Sequence, residues 1–224
     1  MQSIKTSAIV LRRTNYGESD RILQLLTADG HKISAMARGV RREKSKLAGA
    51  VELFSVTDVT IHQGKSDLGI LTSARLKTFY GDILADYDRL QFGYEVLKKI
   101  GRLSEHTHEP LLYDVTLVAL KTLNQPLIDL RIIRVWFYLQ IADISGHGLN
   151  LSRDHNNKPL VETEKYHFDI AEMSFIVDPS GNFTADHLKL LKVLKLKTPD
   201  TVAKISGIND ILDDCQSLAH AVAE

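Results

Sequence analysis

Through the first 80 residues, apolar and polar side chains alternate in short runs; beyond them the apolar positions recur every three or four residues. Residues 7–13 and 20–27 are aliphatic and β-branched, separated by Asn15-Tyr16-Gly17, and they predict two strands joined by a turn. Asp29-Gly30 is a hairpin signal leading into a third strand at 32–38, where Ile33, Ala35 and Ala37 alternate with Ser34, Met36 and Arg38. A fourth strand is expected at 52–62, bounded by Gln63-Gly64-Lys65-Ser66. The fifth, at 68–77, is expected to place Leu68, Ile70, Thr72, Ala74 and Leu76 on its apolar face. Five short strands with one longer connection, 39–50, have the count and size of an OB-type barrel. Strand counting leaves an SH3-like barrel as the competitor.

Helical spacing marks 82–103, 111–123 and 127–144, punctuated by Glu109-Pro110 and Gln125-Pro126. The third of these is apolar around most of its circumference, with Ile132, Ile133, Val135, Trp136, Phe137, Leu139, Ile141 and Ile144, and so predicts a buried central helix. Arg131, Arg134 and Tyr138 form its polar stripe. Gly146-His147-Gly148 stops the helix, and a polar, loop-rich insert follows at 147–182. Helical pattern returns at 186–196 and 208–222. The class is therefore α+β: an N-terminal barrel domain at 1–80 and a helical domain at 81–224 carrying the insert.

Charge changes the picture. The chain of 224 residues is formally neutral, but residues 1–80 hold 13 Lys+Arg against 7 Asp+Glu, a net of +6, and residues 81–224 hold 15 against 21, a net of −6. Five of the N-terminal cations, Arg38, Arg41, Arg42, Lys44 and Lys46, crowd into one loop with a single carboxylate, Glu43. Dense cations on a loop suit a polyanion, since each can neutralise a phosphate and release counterions. A solvated loop that guards a strand edge would look the same. On 186–196, Lys189, Lys192 and Lys195 recur every three residues and offer a second basic surface or merely a solvated face.

Other chemistry is sparse. One cysteine, Cys215, excludes an internal disulfide framework and fits a reducing compartment. No signal-peptide pattern opens the chain, and no apolar run approaches the ~20 residues of a membrane helix, so a cytoplasmic protein is expected. Gly64-Lys65-Ser66 resembles the end of a phosphate-binding loop, but Val59 stands where that motif needs glycine and the segment joins two strands. His147, His155, His167 and His187 lie around the insert without the paired cysteines of a structural zinc site. No nucleophile elbow or paired-histidine zinc motif occurs, and no catalytic residue, metal or cofactor is assigned.

Three segments carry a family resemblance: Thr6-Ser7-Ala8-Ile9-Val10-Leu11, then Tyr16-Gly17-Glu18-Ser19-Asp20-Arg21-Ile22, then Gly39-Val40-Arg41-Arg42-Glu43-Lys44-Ser45, followed by Glu52-Leu53-Phe54. Together they resemble the opening of the bacterial DNA repair family RecO. The resemblance implies an N-terminal OB-fold, a helical C-terminal domain, no enzymatic active site and a place at the bacterial nucleoid. It also implies binding of single- and double-stranded DNA, annealing of complementary strands, and work with RecR, sometimes RecF, in loading RecA onto DNA coated by single-strand-binding protein. Many relatives carry a four-cysteine zinc motif after the central helix; the matching insert here has no cysteine.

Only Tyr16, Phe54, Phe79 and Tyr80 are aromatic in the first 80 residues, so contacts to phosphates are expected to outweigh base stacking. The expected protein is a non-enzymatic DNA-binding and annealing factor. Two alternatives stand beside it: a protein-interaction adaptor that docks acidic peptides, and an RNA-binding OB module.

Overall fold

The structure is a computed structural model and describes residues 2–224. Its two compact units are Met1–Asn124 and Gln125–Glu224. The first holds five strands, β1 (Gln2–Tyr16), β2 (Asp20–Thr27), β3 (Lys32–Ala37), β4 (Ser55–Gln63) and β5 (Leu68–Phe79), then helices α1 (Tyr87–Leu103) and α2 (Pro110–Leu123). The sequence period changes at residue 80, but the units part at 124, because α1 and α2 belong to the same compact unit as the barrel.

The strands close in the order β1-β2-β3-β5-β4. All neighbours are antiparallel except β3 and β5, which pair in parallel through Ser34↔Leu68 to Met36↔Ile70. β1 is long enough to serve two partners: its N-terminal part pairs with β4 and its C-terminal part with β2. This closure is the OB arrangement and settles the choice between the two barrels. Inside lie Ala8, Val10, Leu23, Leu25, Ala35, Ala37, Val59, Ile61 and Leu71. Alanines at three of these positions suit so narrow a barrel, and each larger aliphatic chain contributes ~1.5–3 kcal/mol on burial.

β1 is buried on both sides. Ala8 and Val10 enter the barrel core, while Ile9 and Leu11 are also buried but lie outside it. The register slips between Val10 and Arg12, so Leu11 is the extra residue of a bulge. A second slip decides β5. Ile61 faces Leu71 and Thr60 faces Ser73, leaving Thr72 extra, so the core receives Leu71 and then Ala74. The expected apolar face of Leu68, Ile70, Thr72, Ala74 and Leu76 is therefore broken, and Leu76 is exposed.

Helix starts follow their caps. The Asp86 side chain accepts the Arg89 N–H at 2.9 Å, so α1 begins at Tyr87 after a short 3-10 turn, Gly81–Ala85. In the second unit, Asp129 accepts the Arg131 N–H at 2.8 Å and starts α3 (Leu130–Ile144), three residues later than its apolar pattern. Nine residues of α3 are buried, which makes it the central helix of this unit. Tyr138 is among them, its ring set edge-on to His220 at 4.9 Å, so it leaves the expected polar stripe. Arg131 is held by Asp129 at 2.7 Å and Asp213 at 3.2 Å. Around α3 lie α4 (Ala185–Leu196), the short α5 (Pro199–Val202) and α6 (Leu212–Val222).

The insert has a core of its own. A hairpin of β6 (Tyr166–Asp169) and β7 (Ser174–Val177) brings Phe175 against Tyr166, Phe168 and Phe183, with ring centroids 6.2, 4.9 and 5.7 Å away. Edge-to-face packing of this kind gives a small module an apolar centre.

Candidate nucleic-acid interface

β3 ends at Ala37, and the chain turns at Gly39, whose φ of +62° favours glycine. Its N–H donates to the Asp20 carboxylate at 2.7 Å, and the Arg41 N–H donates to the Ser19 carbonyl at 2.9 Å. Two successive bonds thus fasten the start of the basic loop to the β1–β2 turn. Further tight turns follow, with Arg42 N–H to Gly39 C=O at 3.1 Å and Ser45 N–H to Arg42 C=O at 3.0 Å.

The loop is also pinned from beneath. Val40 is 1% exposed in the barrel core, Val51 is fully buried there, and Leu47 packs partly against the same cluster. The Thr57 hydroxyl donates to the Ala50 carbonyl at 2.6 Å and ties the far end to β4. The segment between β3 and β4 is therefore a folded part of the barrel, fastened at both ends.

Against that backbone, Arg38, Arg41, Arg42, Lys44 and Lys46 are all exposed. Arg41 reaches back to the Gly17 carbonyl at 3.2 Å, and the Arg42 side chain runs over Gly39. The Gly39 amide above all, then the Ser19 hydroxyl and the charges of Arg38 and Arg42, hold the Asp20 carboxyl below the usual carboxylate range. Neighbouring cations are accounted for differently. Arg13 is paired with Glu52, and Arg21 reaches the same carboxylate at 3.5 Å, so these two strand cations are drawn away from solvent while those of the loop are not. Tyr16, in the turn that receives the loop, is 56% exposed and offers an aromatic face beside it. In the sequence, the signal for such an exposed ring is the place of Tyr16 in an Asn-Tyr-Gly turn.

The other sequence candidates fare unevenly. On α4, Lys189 pairs with Glu162 at 3.0 Å, and Lys195 bonds the Leu149 carbonyl at 3.1 Å and Asp143 at 2.9 Å. Among the described residues only Lys192 of that trio is exposed and outside an ion pair, so the stripe is interrupted by acids. His187 is buried and forms a capping box with Thr184, while His147, His155 and His167 are exposed. Among the described residues no group of three His, Cys, Asp or Glu side chains stands where it could share a metal ion. Burial, with Asp214 adding to it, pushes the Cys215 thiol up to about 12. Gly64-Lys65-Ser66 lies in the exposed connection between β4 and β5, not at a helix start.

A closed barrel of this strand order is an OB-fold domain, joined here to a helical unit. Residues 1–80 match the family model described as recombination protein O N terminal. Over these residues the chain is therefore similar to the N-terminal domain of recombination protein O, which agrees with the OB-type barrel and points to a setting in DNA recombination. No helix among the described residues is long and apolar enough to cross a membrane.

Proposed function

We propose that this protein is a non-enzymatic mediator that binds single- and double-stranded DNA through Arg38, Arg41, Arg42, Lys44 and Lys46 and anneals complementary strands. Its work would assist RecA loading at the bacterial nucleoid on strands coated by single-strand-binding protein, with RecR and in some pathways RecF as partners. The observation that supports this reading is the basic loop itself: five exposed cations on a backbone already fixed by Asp20, Val40 and Val51. Ordering cost is then confined to side chains, and phosphates can be met without reorganising the barrel. Two strands repel each other, and a surface that neutralises both lowers the barrier to their encounter.

The test is a titration of the full chain with single-stranded DNA across salt. With four or five loop cations on phosphates, log K should fall with log salt at a slope near about −3, ~0.7 per contact. Changing Arg41, Arg42 and Lys44 together to Glu should weaken every DNA sequence alike and slow annealing, with the fold intact by circular dichroism. Unchanged affinity in that variant overturns the site. DNA binding with no faster annealing would reduce the protein to a DNA-binding adaptor, and preference for RNA in competition would make it an RNA module.

A further inference from the structure

Away from the loop, a cleft of about 540 Å³ opens between the barrel wall and α1. Its walls carry Arg12 of β1, Lys32 of β3, Tyr94, Lys98 and Arg102 of α1, and Glu105 just beyond it, over a floor that includes Leu97. Four cations thus face one carboxylate. That carboxylate is already matched: the Lys32 ammonium donates to Glu105 at 2.7 Å and to the Gly101 carbonyl at 2.9 Å, and its side chain is only 13% exposed. Arg12, Lys98 and Arg102 remain exposed, and among the described residues none of them forms an ion pair within 4 Å.

The helix arranges three of these groups in a row. Tyr94, Lys98 and Arg102 follow one another at intervals of four, so they share one face of α1. Like charges four apart weaken a helix, and an anion between them would relieve the repulsion. Tyr94 is 44% exposed while its ring leans on buried Phe54 at 5.4 Å, which fixes the ring and leaves part of it open. Cations beside a fixed, open aromatic face are what a strand with unpaired bases needs, since phosphates take the charge and a base takes the ring. A duplex keeps its bases paired and could use only the charge. The cleft and the loop share β1, because Arg12 lies on that strand and Arg41 of the loop reaches the Gly17 carbonyl just past its C-terminal end.

We propose that a single DNA strand bound at the loop continues along β1 into this cleft, placing phosphates on Arg12, Lys98 and Arg102 and a base against Tyr94. The inference rests on the DNA-binding reading above, and its test keeps the two apart. The intact protein is titrated across salt with oligothymidylates of about 6 and about 20 nucleotides, lengths that bracket the span of one OB fold. The longer strand should show a slope steeper by about 2, three contacts at ~0.7 each. Changing Arg12, Lys98 and Arg102 together to Gln should abolish that difference and leave the short strand unaffected. Iododeoxyuridine in the long strand should photocrosslink to Tyr94 in the wild type.

If the cleft variant binds the long strand like the wild type while the Arg41, Arg42 and Lys44 charge reversal weakens it, the cleft inference fails and the loop stands. If the cleft variant loses the length effect while the charge reversal changes nothing, the loop assignment fails and the cleft stands. A polyglutamate peptide that is bound better than oligothymidylate, and lost in the cleft variant, would overturn the inference by making the cleft a peptide site.

Discussion

Gly93 in the middle of α1 allows a sharp test of how the helix is seated on the barrel. An ideal Cβ there would lie 2.9 Å from Cε1 and 3.2 Å from Cζ of Phe54, and 3.4 Å from Cγ2 of Ile83. Two effects oppose each other in Gly93→Ala. Alanine gains ~1 kcal/mol of helix propensity over glycine, and the added methyl overpacks the site at a cost of ~1–3 kcal/mol. Phe54 has little room to give way. It is 1% exposed, holds a φ of +61°, accepts the Tyr80 N–H at 3.0 Å and supports Tyr94 with its ring. Packing should therefore win, and the variant should lose ~0–2 kcal/mol in urea unfolding. In a Phe54→Leu background the ring edge is gone, so the same change should stabilise by up to ~1 kcal/mol, giving a coupling of ~1–3 kcal/mol between the sites. Stabilisation of ~1 kcal/mol by Gly93→Ala in both backgrounds would show that Phe54 does not seat α1, and the cleft built on that contact would lose its rigid wall.

Two further outcomes test the loop and the lysines. Because the Asp20 carboxyl sits below its ordinary value of 3.8 when folded, its hold on Gly39 is present above that value and is lost as pH falls through the lowered one. The Gly39 amide resonance should therefore stay constant down to about pH 4; Asp20→Asn, which keeps an acceptor, should retain amide protection and Asp20→Ala should lose it, whereas equal protection in both would remove Asp20 from the latch. On α4, Lys195→Met should lower stability by ~1 kcal/mol in thermal melts with no change in DNA salt slope, and Lys192→Gln should reduce that slope by at most ~0.7, one contact; a slope reduced by Lys195→Met would restore the second basic surface.

Where local signals act alone, the sequence was legible. Turn residues at Asn15-Tyr16-Gly17 and Asp29-Gly30 frame β2 at its observed limits, and the basic loop stands out without any fold. Bulges are the main source of error in the strands. The extra residue at Thr72 turned the outer half of β5 over, and a strict period of two cannot foresee that. β1 extends beyond its predicted run at both ends, through positions with weaker apolar character, because pairing with two partners sustains it. The barrel type depended on the parallel β3–β5 pair, a long-range choice. Partners across space were equally hidden: nothing in the spacing of Lys189 and Lys195 announces Glu162 and Asp143. The cleft was invisible for the same reason, since its cations come from β1, β3 and α1.

How the loop is held bears on what a surface of this kind could do. Val40 and Val51 anchor its two ends in the barrel core, and the Asp20 and Ser19 bonds fix its first turn, yet the five cations themselves stay in solvent. A fixed backbone with long, solvent-exposed charged side chains favours contact with any phosphate spacing and gives little means to read bases. Such indifference suits annealing, which requires that the edges of the bases stay free to find their complements. A base against Tyr94 would hold one strand by its face rather than its pairing edge, so cleft and loop serve the same end. The opposite net charges of residues 1–80 and 81–224 would add a direction, +6 drawing DNA to the barrel and −6 discouraging it from the helical surfaces other than the Lys98 and Arg102 face of α1. Salt should therefore erase annealing and DNA binding together, since added ions would do the same screening that the proposed loop contacts do.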